Sequence, residues 1–209
     1  MNKKKKTNFE SLSSFYIFLQ FILTYINEKQ NRMEKIMDKP KMILMCGLSG
    51  SGKSTISKEL ALKYNAVILS TDAIREEIHG NPECQDNPEK VFGILGHRIR
   101  KNLKNDRNII VDATNLTVRN RRSIIHYASN CEKTLICYVV NKPYEQCLID
   151  NVNREHPVPE YVLEKQNKRF SMPTYDEEFD KIVVIDTNLL QYSNNKESAQ
   201  EPEKEEPEL

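Results

Sequence analysis

The stretch Met42-Ile43-Leu44-Met45-Cys46-Gly47-Leu48-Ser49-Gly50-Ser51-Gly52-Lys53-Ser54-Thr55 decides how the rest of the chain is read. Five apolar residues in a row, stopped by a glycine-rich turn, are the pattern of a strand buried on both faces of a parallel sheet. The turn fits G-x-x-x-x-G-K-[ST], and each fixed position has a physical reason. Glycines let the backbone fold so that its N–H groups converge on phosphate oxygens. The helix that follows aims its positive end at the same anion. In this pattern Lys53 reaches the β- and γ-phosphates of a nucleotide and the Ser54 hydroxyl ligates Mg²⁺. The chain holds only six glycines, and three of them fall here, so a general glycine bias does not produce the match. Gly47, Leu48, Ser49, Gly50, Ser51, Gly52, Lys53, Ser54 and Thr55 are the expected nucleotide-binding residues, with ATP and Mg²⁺ as cofactors.

Outward from this loop, apolar runs at 66–69, 108–112, 134–140 and 181–186 read as further strands. Helices are expected from Lys53 past Leu62, around Ile74 and Ile78, and over 88–104, 117–129, 144–153 and 160–170. Strands alternating with helices imply an α/β fold, a parallel sheet covered on both faces in three layers, as in P-loop NTPases. Residues 41–188 are the expected domain.

The flanks differ in composition. Residues 1–40 carry eight Lys/Arg against four acids, and 196–209 carry two Lys against six Glu, so the middle is nearly neutral within a total of +1. Such a balance excludes a general polyanion binder and leaves room only for a local patch. The apolar segment 15–26 is about twelve residues long, short of the ~20 needed to span a bilayer, so no stable membrane insertion is expected. An amphiphilic surface helix, a membrane-touching anchor, or an extension upstream of a chain starting at Met33 or Met37 are the readings for 1–40, and the third is preferred. Residues 189–209, rich in Glu, Asn, Ser and Pro, are expected to form a disordered acidic tail. Five cysteines, odd in number and without C-x-x-C spacing, point to no disulfide framework, and a reducing cytoplasm is the simplest setting.

Strand ends carry the remaining candidates, because in parallel sheets the carboxyl ends face the ligand crevice. Asp72 follows the strand at 66–69 and is placed to accept a proton from an attacking hydroxyl. Arg75, one turn on, could hold an anionic part of the acceptor. The plainer alternative has Asp72 capping a helix and Arg75 pairing with it. Asp112 ends the strand at 108–112 as the acid that organises Mg²⁺, with Thr114 and Asn115 as contacts of acceptor or loop. Arg154, before Pro157 and Pro159, sits where a mobile segment could bring it to the phosphates and offset transition-state charge. Between His97 and Arg122, eight Lys/Arg stand against two Asp. They form either a phosphate-backbone contact or a solvated helix face.

Taken together, Gly47–Thr55, Asp72-x-x-Arg75, Asp112-Ala113-Thr114-Asn115 followed by Arg121-Arg122, and Arg154 before Val158-Pro159 resemble the phage-type polynucleotide 5′-hydroxyl kinases, relatives of zeta-toxin-like and sugar-phosphate kinases. The resemblance covers about residues 41–186. It implies an adenylate-kinase-like fold with a helical lid, and transfer of the ATP γ-phosphate to a 5′-hydroxyl of RNA or DNA. By that match Asp72 is the general base, Arg75 contacts an acceptor phosphate, and Lys53 and Arg154 stabilise the transferring phosphoryl group. Ser54 and Asp112 then serve the metal. The chain departs from the family at Asp150, where the lid often carries a second Arg. It also has no D-x-D-G-T phosphatase motif and no ligase segment. Two alternatives stay open: a kinase of a small-molecule hydroxyl (nucleoside, sugar or antibiotic), and an ATP-binding toxin-like or regulatory module.

Overall fold

The computed structural model describes residues 39–187 except Glu83, Gln85 and Glu155, together with Gln20 and Thr24. Two compact units divide the chain, Met1–Lys39 and Pro40–Leu209. In the first, the Thr24 hydroxyl donates to the Gln20 carbonyl at 2.8 Å. The expectations for the apolar segment at 15–26 and for the acidic tail lie outside the described residues.

The second unit is a five-stranded sheet flanked by helices, the P-loop NTPase α/β fold. Its strands are β1 Lys41–Cys46, β2 Ala66–Ser70, β3 Asn108–Asp112, β4 Thr134–Asn141 and β5 Lys181–Asp186, in the order β2-β3-β1-β4-β5. Every pairing is parallel. The helices are α1 Lys53–Tyr64, α2 Thr71–His79, α3 Pro88–Leu103, α4 Val118–His126, α5 Tyr144–Val152 and α6 Glu160–Arg169. β1 lies at the centre, and its residues from Met42 to Cys46 are fully buried. Alternation of side chains along the strand divides them. Met42, Leu44 and Cys46 pack with Leu95 and Ile99 of α3 and Ile124 of α4. Ile43 and Met45 pack on the other face with Leu60 of α1.

Parallel pairing brings the carboxyl ends of the strands to one edge, and that edge collects the polar candidates. The register sets Ser70 opposite Asp112, so Asp72 emerges beside the end of β3. The glycine-rich loop leaves β1 between the ends of β3 and β4. Among the described residues no helix is long and apolar enough to cross a membrane.

Candidate functional site

The loop from Gly47 to Gly52 is shaped by backbone constraints that only glycine meets. Gly50 has φ +79°, and a Cβ there would stand 2.4 Å from the Cys147 carbonyl oxygen, because α5 crosses directly against it. Gly52 has φ +94° with nothing within 4 Å, so its requirement is purely conformational. Leu48 anchors the loop by burying its side chain with Leu116, Cys147 and Leu163. No side chain caps the start of α1 and no acid lies in its first turn, which leaves the positive end of the helix open to an anion. The Ser51 hydroxyl is buried within the loop with no partner.

Lys53 is buried and donates from Nζ to the Leu48 carbonyl at 2.6 Å, inside its own loop. Burial pushes its ammonium pKa down, and the neighbouring Asp112 carboxylate opposes that shift. Asp112 is pushed above the ordinary carboxylate range by burial, against a hydrogen bond from Ser54 and the charge of Lys53. Asp72 and Arg154 are close enough to act on the same carboxyl, Asp72 raising its pKa and Arg154 lowering it. Lys53, Ser54, Asp72, Asp112 and Arg154 therefore share one electrostatic neighbourhood. A loop with an orphaned hydroxyl and an uncapped helix start fits the phosphates of a nucleotide. A half-buried carboxylate beside the Ser54 hydroxyl fits a hydrated cation such as Mg²⁺, whose charge would offset the burial.

Asp72 opens the first turn of α2 with its side chain 60% exposed, and Arg75 donates to it at 2.7 Å. Pairing with Arg75 is thus as the plainer reading expects, but capping is not. The cap of α2 is Ser70, whose hydroxyl accepts from the Ala73 N–H at 3.4 Å. Asp72 is free of that duty.

Beneath the loop lies a buried polar layer. Asn115, at φ +46°, donates from its amide to the Met45 carbonyl at 2.7 Å, tying the exit of β3 to β1. The Gly47 N–H donates to the Thr114 carbonyl at 3.1 Å. The Cys46 thiol and Arg121 Nη1 both donate to the Asn115 carbonyl, at 3.3 and 3.0 Å. Arg121 is fully buried and forks onto Glu177 with two bonds of 2.8 Å. This corrects the expectation that Arg121 belongs to a surface patch. Arg98 leaves that patch as well, since it pairs with Glu77 at 2.6 Å.

Four partners escaped sequence reasoning. Glu177 completes the Arg121 pair from 56 residues away. Gln166 of α6 accepts the Ser49 N–H at 2.9 Å, linking α6 to the loop. Asn151, buried at the end of α5, exchanges two hydrogen bonds with the Val158 backbone, at 2.7 and 3.0 Å. It thereby closes the segment that carries Arg154. Lys142 pairs with Asp150, which also accepts from Gln146 at 3.0 Å, so the departure at Asp150 carries its own cation.

A nucleotide-type phosphate loop at the carboxyl edge of a parallel sheet defines a P-loop protein. Residues 42–173 match the AAA domain model, and the chain belongs to that family. It is 28% identical over 160 residues to the L-seryl-tRNA(Sec) kinase of Methanococcus maripaludis, covering 73% of this chain and 62% of that one. The chain thus spans under two thirds of that relative's length. The Pnkp1/Rnl/Hen1 RNA repair complex contains a chain with the same fold, at TM-score 0.57 and 21% identity, covering 76% of this chain and 46% of that one. Kti12 of Chaetomium thermophilum, solved with ADP-AlF3, shares the fold at TM-score 0.56 and 15% identity, covering 77% of this chain and all of that one.

Proposed function

We propose that this chain is an ATP-dependent kinase that transfers the γ-phosphate to a hydroxyl carried on a nucleic acid, with the 5′-hydroxyl of a polynucleotide as the leading acceptor. The observation that carries the reading is the position of Asp72. Its carboxylate is exposed and relieved of capping, and it sits in the electrostatic neighbourhood of Lys53, Asp112 and Arg154. A hydroxyl entering there loses its proton to Asp72 as its oxygen attacks the γ-phosphorus, and ADP leaves. Lys53 exchanges the Leu48 carbonyl for phosphate oxygens. Arg154 offsets charge on the transferring group, and Arg75 orients Asp72 and contacts an acceptor phosphate. Ser54 and Asp112 would hold Mg²⁺, which when bound neutralises charge on the β- and γ-phosphates. The ADP-AlF3 complex of Kti12 supports ATP as donor.

A second reading keeps the same chemistry and changes the acceptor to the serine hydroxyl of a seryl-tRNA. The similarity to the Methanococcus maripaludis kinase favours it. The test is transfer of labelled γ-phosphate from ATP to three acceptors in parallel: a 5′-hydroxyl oligonucleotide, a seryl-tRNA, and a set of nucleosides and sugars. Label on the oligonucleotide alone supports the leading reading, and label on the seryl-tRNA alone moves the assignment there. Label on small molecules only would overturn both.

A further inference from the structure

The outer face of α4 is a basic surface that the chemistry above does not use. Arg119, Arg122 and His126 are exposed and fall at helical spacings of three and four, in one stripe beside Tyr127 and Ser123, where the surface forms an open groove. Beside this face α3 comes so near that a Cβ on Gly96 would stand 2.6 Å from the Tyr127 ring. That approach sets Arg100 over the same ring, 5.9 Å from its centre. Arg121 is committed to Glu177 and Arg98 to Glu77, whereas among the described residues Arg119 and Arg122 form no direct ion pair, although the charge of Arg122 reaches Glu177 at longer range.

Helix electrostatics make this arrangement unfavourable in the free protein. The first turn of α4 contains no acid, and Arg119 is its second residue, so positive side chains stand against the positive end of the helix. A bound polyanion would relieve both. Between Arg119 and His126 the helix rises about 10 Å, which matches about three phosphates of a stacked strand. The helix also begins six residues after Asp112, and Arg121 within it ties its start to the floor of the phosphate loop through Asn115.

We propose that the α4 face, with Arg100 from α3, is a docking track for the phosphodiester backbone of single-stranded RNA whose 5′ end occupies the site. The assignment rests on the nucleic-acid acceptor reading and extends it to a second surface. Both occupants would match the charge of this face, and the connection of α4 through Arg121 and Asn115 to the phosphate loop favours a strand that ends in the site over an anionic membrane.

Anisotropy of a 3′-fluorescein single-stranded RNA bearing a 5′-hydroxyl, titrated with the full-length chain at several salt concentrations, tests the track. Arg119→Gln with Arg122→Gln should weaken binding about tenfold or more and make the slope of log K against log[salt] shallower by about two, one per lost phosphate contact. The melting temperature should not fall, because both side chains are exposed and neutralising Arg119 relieves charge at the positive end of α4, and Arg119→Lys with Arg122→Lys should recover most of the slope. An unchanged slope in the Gln variant would overturn the track. So would loss of binding to phosphatidylserine vesicles with RNA binding intact, which would give the face to a membrane. Transfer assays on the same samples separate the two claims. RNA binding that needs Arg119 and Arg122 in a protein that phosphorylates no RNA keeps the track and removes the acceptor reading. Normal transfer to RNA with an unchanged slope does the reverse.

Discussion

Asn115 and Arg121, under the phosphate loop, are buried and bonded to strand ends, to Glu177 and to one another. Asp72 and Arg154, the residues proposed to meet the acceptor and the transferring phosphoryl group, are exposed. The contrast separates two tasks. A loop that must present its N–H groups to any nucleotide gains from a floor that cannot rearrange, since preorganised donors need no reordering when phosphate arrives. On the proposed reading, an acceptor site that admits a nucleic acid stays open, and its order would come from the substrate. If the proposal holds, the donor half is built by folding and the acceptor half by binding.

Removing Arg121 attacks the floor directly. Arg121→Ala leaves Glu177 buried without its cation, and destabilisation of about 3–5 kcal/mol is expected in denaturant unfolding. An effect as small as that of a surface arginine would mean the floor is not built this way.

Asn151→Ala should show a smaller loss on the acceptor side. It leaves the Val158 N–H and carbonyl without the side chain that closes the Arg154 segment, at about 1–3 kcal/mol. Kinetics should show kcat reduced with the KM for ATP little changed. An altered ATP KM with normal kcat would place Asn151 with the floor instead.

The smallest effect is a pH signature. Although burial works against it, the paired Arg121 holds the Glu177 carboxyl below the ordinary carboxylate range. A carboxylate whose folded pKa is lowered contributes stability that is fully present above its unfolded pKa, about 4.3. That stability is lost as pH falls through the lowered folded value. The gap in melting temperature between wild type and Glu177→Gln should be constant near neutrality and narrow below about pH 4. A constant gap down to pH 3 would contradict the pairing.

The same contrast explains what the sequence disclosed. β3 and β5 have the expected bounds, 108–112 and 181–186, because continuous apolar runs of β-branched residues favour a strand, whether buried within the sheet as in β3 or half-exposed at the edge as in β5. The phosphate loop was legible because glycine is required at fixed places. Arg121 was not, because a run of basic residues reads as surface and its partner lies 56 residues on. One signal was present: Arg121 shares the helical stripe of Ile124, Ile125 and Ala128, all buried. Asn151 and Gln166 gave no comparable signal. Their work is done through backbone groups of Val158 and Ser49, and no side-chain pattern announces such a bond.

The most direct test of the central claim compares Asp72→Asn with wild type in two measurements on one preparation: ATP binding, and transfer of labelled γ-phosphate to whichever acceptor the wild type labels. Asp72→Asn should leave ATP binding unchanged and reduce transfer ~10²–10⁴-fold, the usual scale for a lost general base. Transfer at the wild-type rate would contradict that role.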